Sequence, residues 1–153
     1  MDTSLQVLTV QVILQKKGQQ IHSVSKEITV LEAVEKMCGL KVGALLVTEN
    51  NKPVGIISER DLMTRVVLNR KDVGTTRVDE VMTANPVTIT PDDKLSEAMS
   101  LMTQKRFRHL PVVDKDGNLT GMVSIGDLVR TITSAQEEMI GMLEDYITGK
   151  HMV

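Results

Sequence analysis

The chain has 153 residues, of which 41% are apolar and 25% charged, and its formal net charge is −2. This balance is typical of a globular protein with one compact core or two very small ones. The near-neutral charge excludes a general electrostatic attraction to nucleic acid or to an anionic membrane.

Cysteine and aromatic residues are scarce. The single cysteine, Cys38, excludes an internal disulfide, and we expect it in or at the edge of the core. One Phe, one Tyr and no Trp stand against ten Met, so aliphatic and thioether side chains must fill the core. A planar ligand would therefore lie between aliphatic groups and backbone.

No apolar run approaches the roughly 20 residues that a membrane-spanning helix needs. Residues 1–17 include early polar residues and no small-residue cleavage site, so we expect no signal peptide and a cytoplasmic location. His22 and His151 are isolated, and no His, Asp and Glu set has the spacing of metal ligands. We expect no metal site and no catalytic cofactor.

The first half of the chain predicts helices alternating with short strands. In order, these are a helix over 9–17, a strand over 21–24, a helix from 30 to about 39, strands over 44–47 and 54–57, and a helix over 59–69. Thr29 and Glu32 have the spacing of a capping box, and Gly18 and Gly39 are expected to end the first two helices. Asn50-Asn51 predicts a tight hairpin turn. The polar segment 71–77 is expected to be a linker.

The second half repeats this order. It predicts a short helical turn capped by Thr76, a strand over 87–89 after Asn85-Pro86, a helix near 95–102, strands over 110–113 and 119–123, and a helix over 125–132. A separate amphipathic helix is expected over 136–147, beginning at Ser134 or Ala135 and ending at Gly149. One side of it carries Met139, Ile140, Leu143 and Ile147, which we interpret as a packing or dimer surface.

The repetition has a fixed period of 66 residues. The pairs that share it are Gly55 and Gly121, Ser58 and Ser124, Asp61 and Asp127, and Leu62 and Leu128. A period of this length present twice predicts an α+β fold of two β-α-β-β-α units packed through their sheets with pseudo-two-fold symmetry. The expected boundaries are 9–70 for the first unit, 71–77 for the linker, 78–133 for the second unit and 134–148 for a C-terminal helix.

Each unit ends in the pattern Gly, two apolar residues, Ser, two variable residues, Asp and Leu: GIISERDL at 55–62 and GMVSIGDL at 121–128. Ser and Asp at this spacing can simply cap a helix, which is worth about 1 kcal/mol. The same geometry can also bind a nucleoside phosphate, because the helix N-terminus attracts phosphate and the carboxylate accepts ribose hydroxyls. The two interpretations are compatible.

The doubled pattern, with RHLPVVD at 108–114 before the second copy, resembles the tandem cystathionine-β-synthase (CBS) domain pair, or Bateman module, over residues 9–133. The runs SERDLMTRVV, TTRVDEVMT and MVSIGDLV are most similar to stand-alone proteins of that family. The resemblance implies an adenosine-containing ligand in the cleft between the repeats. AMP is the first choice, with ATP, ADP, NAD(H) and S-adenosylmethionine as alternatives.

The resemblance also implies two sites, each joining the Ser and Asp of one repeat to an adenine slot. One would combine Ser124 and Asp127 with a slot formed by Ile21, His22, Lys41, Val42 and Gly43. The other would combine Ser58 and Asp61 with Val87, Phe107, Arg108 and His109, and Arg65 falls where related sequences carry a basic residue near the phosphates. Phe107 can either stack on a base or fill the core, and backbone groups are expected to recognise the adenine edge.

The two copies are not equivalent. Gly126 lets a phosphate approach the helix amides closely, whereas in the first copy Glu59 repels a phosphate and Arg60 attracts it. We therefore expect the Asp127 site to be occupied more readily than the Asp61 site.

The sequence favours a non-enzymatic nucleotide sensor with no catalytic residues. By resemblance we expect a homodimer, formed through the helices over 59–69 and 125–132, that signals to an unknown effector protein in trans. The alternatives are a nucleic-acid-binding CBS protein, which low charge and few aromatics disfavour, and an unrecognised nucleotide-using enzyme, for which no nucleophile–base pair is recognisable.

Overall fold

The computed structural model describes residues 7–17 and 21–148. The elements of its first half are α1 (Val10–Lys17), β1 (Ser23–Ser25), α2 (Val30–Leu40), β2 (Ala44–Glu49), β3 (Lys52–Ser58) and α3 (Glu59–Asp61), which continues as a π-helical segment over Leu62–Val67. Those of its second half are α4 (Val78–Val81), β4 (Thr83–Ala84), α5 (Leu95–Lys105), β5 (His109–Val113), β6 (Leu119–Ser124) and α6 (Ile125–Thr148). This order confirms the predicted α+β class and its internal repeat.

The strands in the described part of the chain form two sheets. The first has four strands in the order β1-β2-β3-β4, with β1 parallel to β2 and the other pairs antiparallel. The second is the antiparallel hairpin β5-β6. The predicted strand over 87–89 is reduced to one parallel bridge between Ile89 and Val112, because Pro86 and Pro91, which bound this stretch, have no N–H to donate to a ladder.

The two hairpins meet at their tips. Asn50 and Asn51 both have positive φ (52° and 61°), which confirms the predicted tight turn between β2 and β3. The carbonyl oxygen of Asn51 accepts the N–H of Leu119 at 3.0 Å, and Lys52 Nζ donates to the carbonyl oxygen of Asp116 at 2.7 Å. These contacts join the first sheet to the second.

Each repeat has its own hydrophobic core. Helix α1, which lies before the first repeat, packs into the core of the second, and α4, which lies before the second repeat, packs into the core of the first. Val10 and Ile13 of α1 pack with the second-repeat residues, among them Leu110 and Leu128. Val78 and Val81 of α4 pack in the same way with the first-repeat residues. The first and second repeats are therefore interlocked by exchanged helices.

Several helix ends differ from the prediction. Thr29 caps α2 as expected, accepting the N–H of Glu32 at 3.2 Å, but the helix passes Gly39 and ends with Lys41 in the left-handed conformation (φ 58°). Arg106 ends α5 in the same way (φ 59°), so a long basic residue takes this position in both repeats. Arg77, not Thr76, is the N-cap residue of α4, and its N–H donates to Glu80 Oε2 at 2.7 Å.

The predicted helix over 59–69 is only partly α-helical. After three residues its backbone hydrogen bonds change to the π type, in which each N–H bonds to the carbonyl oxygen five residues earlier. The N–H of Leu68, for example, donates to the carbonyl oxygen of Met63 at 3.1 Å. Val66 is buried in this segment, whereas Met63 and Val67 are exposed. Cys38 is also exposed, contrary to expectation, because it lies one residue past the buried Met37 and so points off the apolar stripe of α2.

The last two predicted helices are one continuous helix, α6. The predicted break at Ser134–Ala135 is wrong because no Pro interrupts the 24 residues and Ala, Gln and Glu follow, which favour helix. Ile140, Leu143 and Ile147 are exposed on α6. The structure does not describe the side chain of Met139, nor His151 and the predicted helix ends at Gly18 and Gly149. No helix in the described part of the chain has the length and apolar content to cross a membrane.

The exchanged helices allow a matched test with Val10→Ala and Val78→Ala. Both side chains are fully buried, so each substitution should lower the free energy of unfolding by roughly 2 kcal/mol. Hydrogen exchange should locate the damage. We expect Val10→Ala to speed exchange in β5 and β6, and Val78→Ala to speed it in β2 and β3. Equal loss of protection in both hairpins for either variant would contradict the interlocked arrangement.

Candidate functional site

In the first repeat, the carboxylate of Asp61 is fixed at the start of α3. Its Oδ2 accepts the N–H and the hydroxyl of Ser58, both at 2.9 Å, and the Ser58 Oγ accepts the N–H of Asp61 at 3.2 Å. Thr83 Oγ1 donates to Asp61 Oδ1 at 3.0 Å. Only 6% of Asp61 is exposed, so these hydrogen bonds compensate a buried charge.

In the second repeat, Asp127 is fixed in the same way at the start of α6. Its Oδ2 accepts the N–H of Ser124 at 2.8 Å, and Ser124 Oγ accepts the N–H of Asp127 at 3.1 Å. Two cations also contact it: Lys17 Nζ lies 2.8 Å from Oδ2, and Arg130 Nη2 lies 2.6 Å from Oδ1. This carboxylate, like Asp61, is 6% exposed.

The contacts of Asp127 keep it charged. Burial by itself would raise its pKa, but hydrogen bonds from Lys17 and from the Ser124 backbone outweigh that effect and hold the pKa below its ordinary value. Asp127 is therefore an ionised hydrogen-bond acceptor at neutral pH, which is the form that sugar hydroxyls require.

The predicted slot residues lie beside the helix starts of their own repeats. The carbonyl oxygen of Gly43 accepts the N–H of Glu59 at 3.0 Å, and that of Arg108 accepts the N–H of Ile125 at 2.9 Å. In the same strand pairings, Ala44 faces Ser58 and His109 faces Ser124. Each Ser-x-x-Asp turn is thus bordered by the residues that precede the neighbouring strand.

The pKa of His109 is affected by charged residues at both helix starts. Burial is the main cause of its lowered pKa, and the positive charges of Arg108 and Lys17 lower it further. The negative charges of Asp127 and Glu59, from different repeats, oppose this shift. His109 therefore lies within electrostatic reach of both turns, and the balance of its neighbours favours the neutral imidazole.

A cavity of about 320 Å³ adjoins the first of these turns. Its lining is mainly apolar and consists of Val34, Met37, Cys38, Lys41, Val42, Gly43, Glu59 and Leu62. Three predicted slot residues, Lys41, Val42 and Gly43, thus come together next to Glu59. A Cβ on Gly43 would lie 3.0 Å from Glu59 Oε1, so a larger residue there would crowd this wall.

The remaining predicted residues are more dispersed. Ile21 and His22 are partly buried just before β1, where the carbonyl oxygen of His22 accepts the N–H of Leu46. Val87 and Phe107 are partly buried and pack against the second core, which favours the packing role for Phe107. Arg60 and Arg108 are exposed.

Arg65 has a structural contact that its sequence position does not indicate. Its Nη1 donates to the carbonyl oxygen of Met82 at 2.7 Å, and its Nε lies 3.7 Å from Asp61 Oδ1. It therefore ties the segment after α4 to the first repeat and contributes positive charge beside Asp61.

Lys17, Thr83 and Arg130 contact the two aspartates and were not among the predicted site residues. Arg130 could have been found, because residues three apart on a helix are neighbours. Lys17 and Thr83 could not, because they reach the aspartates through tertiary packing across 110 and 22 residues. Within residues 7–17 and 21–148, no group of three His, Cys, Asp or Glu side chains could hold a metal ion.

Comparison with known proteins places these features in one family. The family model for the CBS domain matches residues 17–68 and 78–134. A mitochondrial CBS domain-containing protein of Arabidopsis thaliana is 34% identical, over 97% of this chain and 76% of its own length.

Solved structures of CBS proteins superpose on most of the chain. A putative signal-transduction protein with CBS domains from Burkholderia ambifaria has a TM-score of 0.78 and 41% identity, covering 84% of this chain and 96% of that one. A CBS domain protein from Pyrobaculum aerophilum, complexed with AMP, has a TM-score of 0.71 and 27% identity, covering 78% and 89%.

The lowered pKa of His109 predicts how stability depends on pH. As the pH falls below the ordinary histidine value of 6.5, the unfolded chain binds a proton before folded His109 does, so the free energy of unfolding should decrease. In His109→Gln, this part of the decrease between about pH 7.5 and 5.5 should disappear. Urea denaturation at several pH values measures it. An unchanged slope in His109→Gln would contradict the assignment.

Proposed function

This chain belongs to the CBS domain family, and on that premise we propose that it is a regulatory module that binds an adenine nucleotide. The observation that carries the proposal is the repeated Ser-x-x-Asp turn, in which a buried carboxylate stands at a helix start. A helix cap needs only one acceptor oxygen, whereas a ribose diol is bound by the two oxygens of a carboxylate beside a phosphate-binding N-terminus.

At the second turn, we assign the ribose hydroxyls to Asp127 and the phosphate to the N-terminus of α6. The N–H of Ile125 already donates to Arg108 and that of Asp127 to Ser124. The N–H of Gly126 is the donor we assign to the phosphate, because a residue without a Cβ lets the anion approach closely. The partial positive charge at the start of the 24-residue α6 supports this orientation.

The base would lie against backbone and aliphatic groups. The apolar cavity beside Lys41, Val42 and Gly43 adjoins the first turn and not Asp127. The adenine slot of the Asp127 site, with Ile21 and His22, therefore stays assigned by resemblance. Ser58 and Asp61 form the pseudo-symmetric site with Val87, Phe107, Arg108 and His109, and Arg60 and Arg65 supply positive charge there. His109 is assigned to the phosphate side of either site because it responds to charges at both turns.

AMP is the ligand that we propose first, because the related Pyrobaculum aerophilum protein is described in complex with AMP. ADP, ATP and NAD(H) share its adenosine monophosphate portion and are the alternatives, together with S-adenosylmethionine, which shares only adenosine. The expected cytoplasmic location stays a prediction, and the mitochondrial name belongs to the Arabidopsis relative alone.

Signalling would follow from a change in the relative orientation of the repeats. The repeats are joined by hairpin tips and exchanged helices, so a ligand that contacts both can favour one orientation by its differential affinity. We propose that an effector protein in trans recognises that orientation.

We further propose a homodimer through the helices that follow the two turns. Met63 and Val67 on the π-helical segment and Val129 on α6 are exposed, although all three are apolar. Exposed apolar residues on adjacent turns of a helix are typical of a surface that another protein covers. Ile140, Leu143 and Ile147 extend the apolar surface along α6.

Ligand binding is tested by thermal unfolding with AMP, ADP, ATP, NAD and S-adenosylmethionine. A ligand at about 100 times its Kd should stabilise the protein by roughly 2.7 kcal/mol, which raises Tm by about 5–10 °C for a chain of this size. Asp127→Asn should remove most of the AMP shift and Asp61→Asn less, because we expect the Asp127 site to bind more readily.

The exposed Asp92→Asn provides a control with the same chemical change and should keep the full shift. The absence of any shift with every ligand at millimolar concentration would overturn the sensor proposal. If Asp61→Asn abolished the shift and Asp127→Asn preserved it, the ranking of the sites would be wrong.

The dimer is tested by light scattering after size-exclusion chromatography. The parent should have twice the monomer mass, and Val67→Glu should shift it to the monomer because the new charge would have to be desolvated in the interface. Val7→Glu makes the same change at a similarly exposed valine and should remain dimeric. A monomeric parent would refute the proposal.

A further inference from the structure

The two Ser-x-x-Asp carboxylates differ in the side chains that contact them besides the serine of the turn. Thr83 places a neutral hydroxyl 3.0 Å from Asp61 Oδ1, and Lys17 places an ammonium 2.8 Å from Asp127 Oδ2. Arg65 Nε is 3.7 Å from Asp61, beyond hydrogen-bonding distance, whereas Arg130 Nη2 is 2.6 Å from Asp127. Asp127 therefore has two direct charge-assisted hydrogen bonds where Asp61 has a neutral one and a loose ion pair.

These cations occupy the acceptors that a sugar would use. Lys17 shares Asp127 Oδ2 with the N–H of Ser124, and Arg130 takes Oδ1. Both carboxylate oxygens already accept a cation, so a ribose diol that uses one hydroxyl per oxygen has to compete with Lys17 and Arg130. Displacing a cation from a buried carboxylate is unfavourable unless the ligand offers it another anion.

Lys17 is the cation best placed to exchange partners. Its side chain is 39% exposed and has a flexible four-carbon stem, so the ammonium can move with little rearrangement of its surroundings. It also donates to the carbonyl oxygen of Met122 at 3.0 Å, which holds it beside the strand that leads to Ser124. In a nucleotide, the 5′-phosphate is attached to the same ribose, so the new anion arrives next to the displaced ammonium.

Building on the proposed function, we propose that Lys17 makes the Asp127 site specific for phosphorylated adenosine ligands. Its ammonium pairs with Asp127 until the nucleotide binds, and then pairs with the 5′-phosphate while the ribose takes its place on the carboxylate. Adenosine has the same sugar and base but no anionic group, so it displaces Lys17 without compensating it. The Asp61 site lacks this requirement, because Thr83 is neutral and Glu59 adds negative charge at that turn.

The test uses Lys17→Thr, which gives the second site the hydroxyl chemistry of the first. Isothermal titration calorimetry would measure Kd for AMP and for adenosine in an Asp61→Asn background, so that one site remains. The parent should prefer AMP. Lys17→Thr should lower the ratio of the two affinities about tenfold or more, by weakening AMP binding and strengthening adenosine binding. Lys17→Arg should retain the preference.

Lys16→Thr is the matched control, because it removes the same charge from the adjacent exposed residue and should leave the ratio unchanged. Lys17→Gln, which keeps most of the stem, should reproduce the effect if the threonine variant folds poorly. This proposal would be overturned if the ratio of AMP to adenosine affinity stayed unchanged in both Lys17 variants, or if both ligands were weakened equally. AMP binding by the parent would still support the nucleotide-binding function in that case. If the parent bound neither AMP nor adenosine, the proposed function itself would fail.

Discussion

The rest of the structure depends on one interaction that occurs in each repeat: a buried aspartate carboxylate accepts a hydrogen bond from the N–H of the serine three residues before it. A charge removed from water in this way must be fully hydrogen-bonded, or it is strongly unfavourable. Asp61 and Asp127 each obtain part of that compensation locally, from Ser58 or Ser124, and part from a distant segment, through Thr83 or Lys17. One local motif therefore fixes the start of a helix and also the position of a segment that belongs, in the chain, to the other repeat.

The pseudo-symmetry of the backbone does not extend to the chemistry of the two turns. Both have the same serine, aspartate and strand pairing. One is surrounded by a hydroxyl, a distant arginine and Glu59, and the other by two cations that hydrogen-bond directly to the carboxylate. Duplicated geometry preserves the shape of a site, whereas a few side chains at its border set its charge. Two turns of similar shape can therefore differ in ligand preference, and His109 lies within electrostatic reach of charges at both.

Local patterns in the sequence predicted the features that depend on nearby residues. The turn at Asn50-Asn51, the cap of α2 at Thr29 and the serine caps all follow from spacing and intrinsic conformational preference. The π-helical segment and the contacts of Lys17 and Thr83 could not be predicted in this way, because tertiary packing decides them. The continuity of α6 was missed for a different reason: Ser134 resembles a cap, but nothing around it stops the preceding helix.

The exchange of α1 and α4 between the cores has a consequence for how the chain folds during its synthesis. The partners of α4 lie before it in the chain, so the first core can close as soon as residues 78–81 leave the ribosome. The partners of α1 extend to Leu128, and at about 5–20 residues per second Val10 and Ile13 must wait roughly 6–24 s for them. Helix α1 is therefore synthesised well before the core that buries it. During that interval its apolar face is available to chaperones, and the second half of the protein completes its core on a scaffold that has already formed.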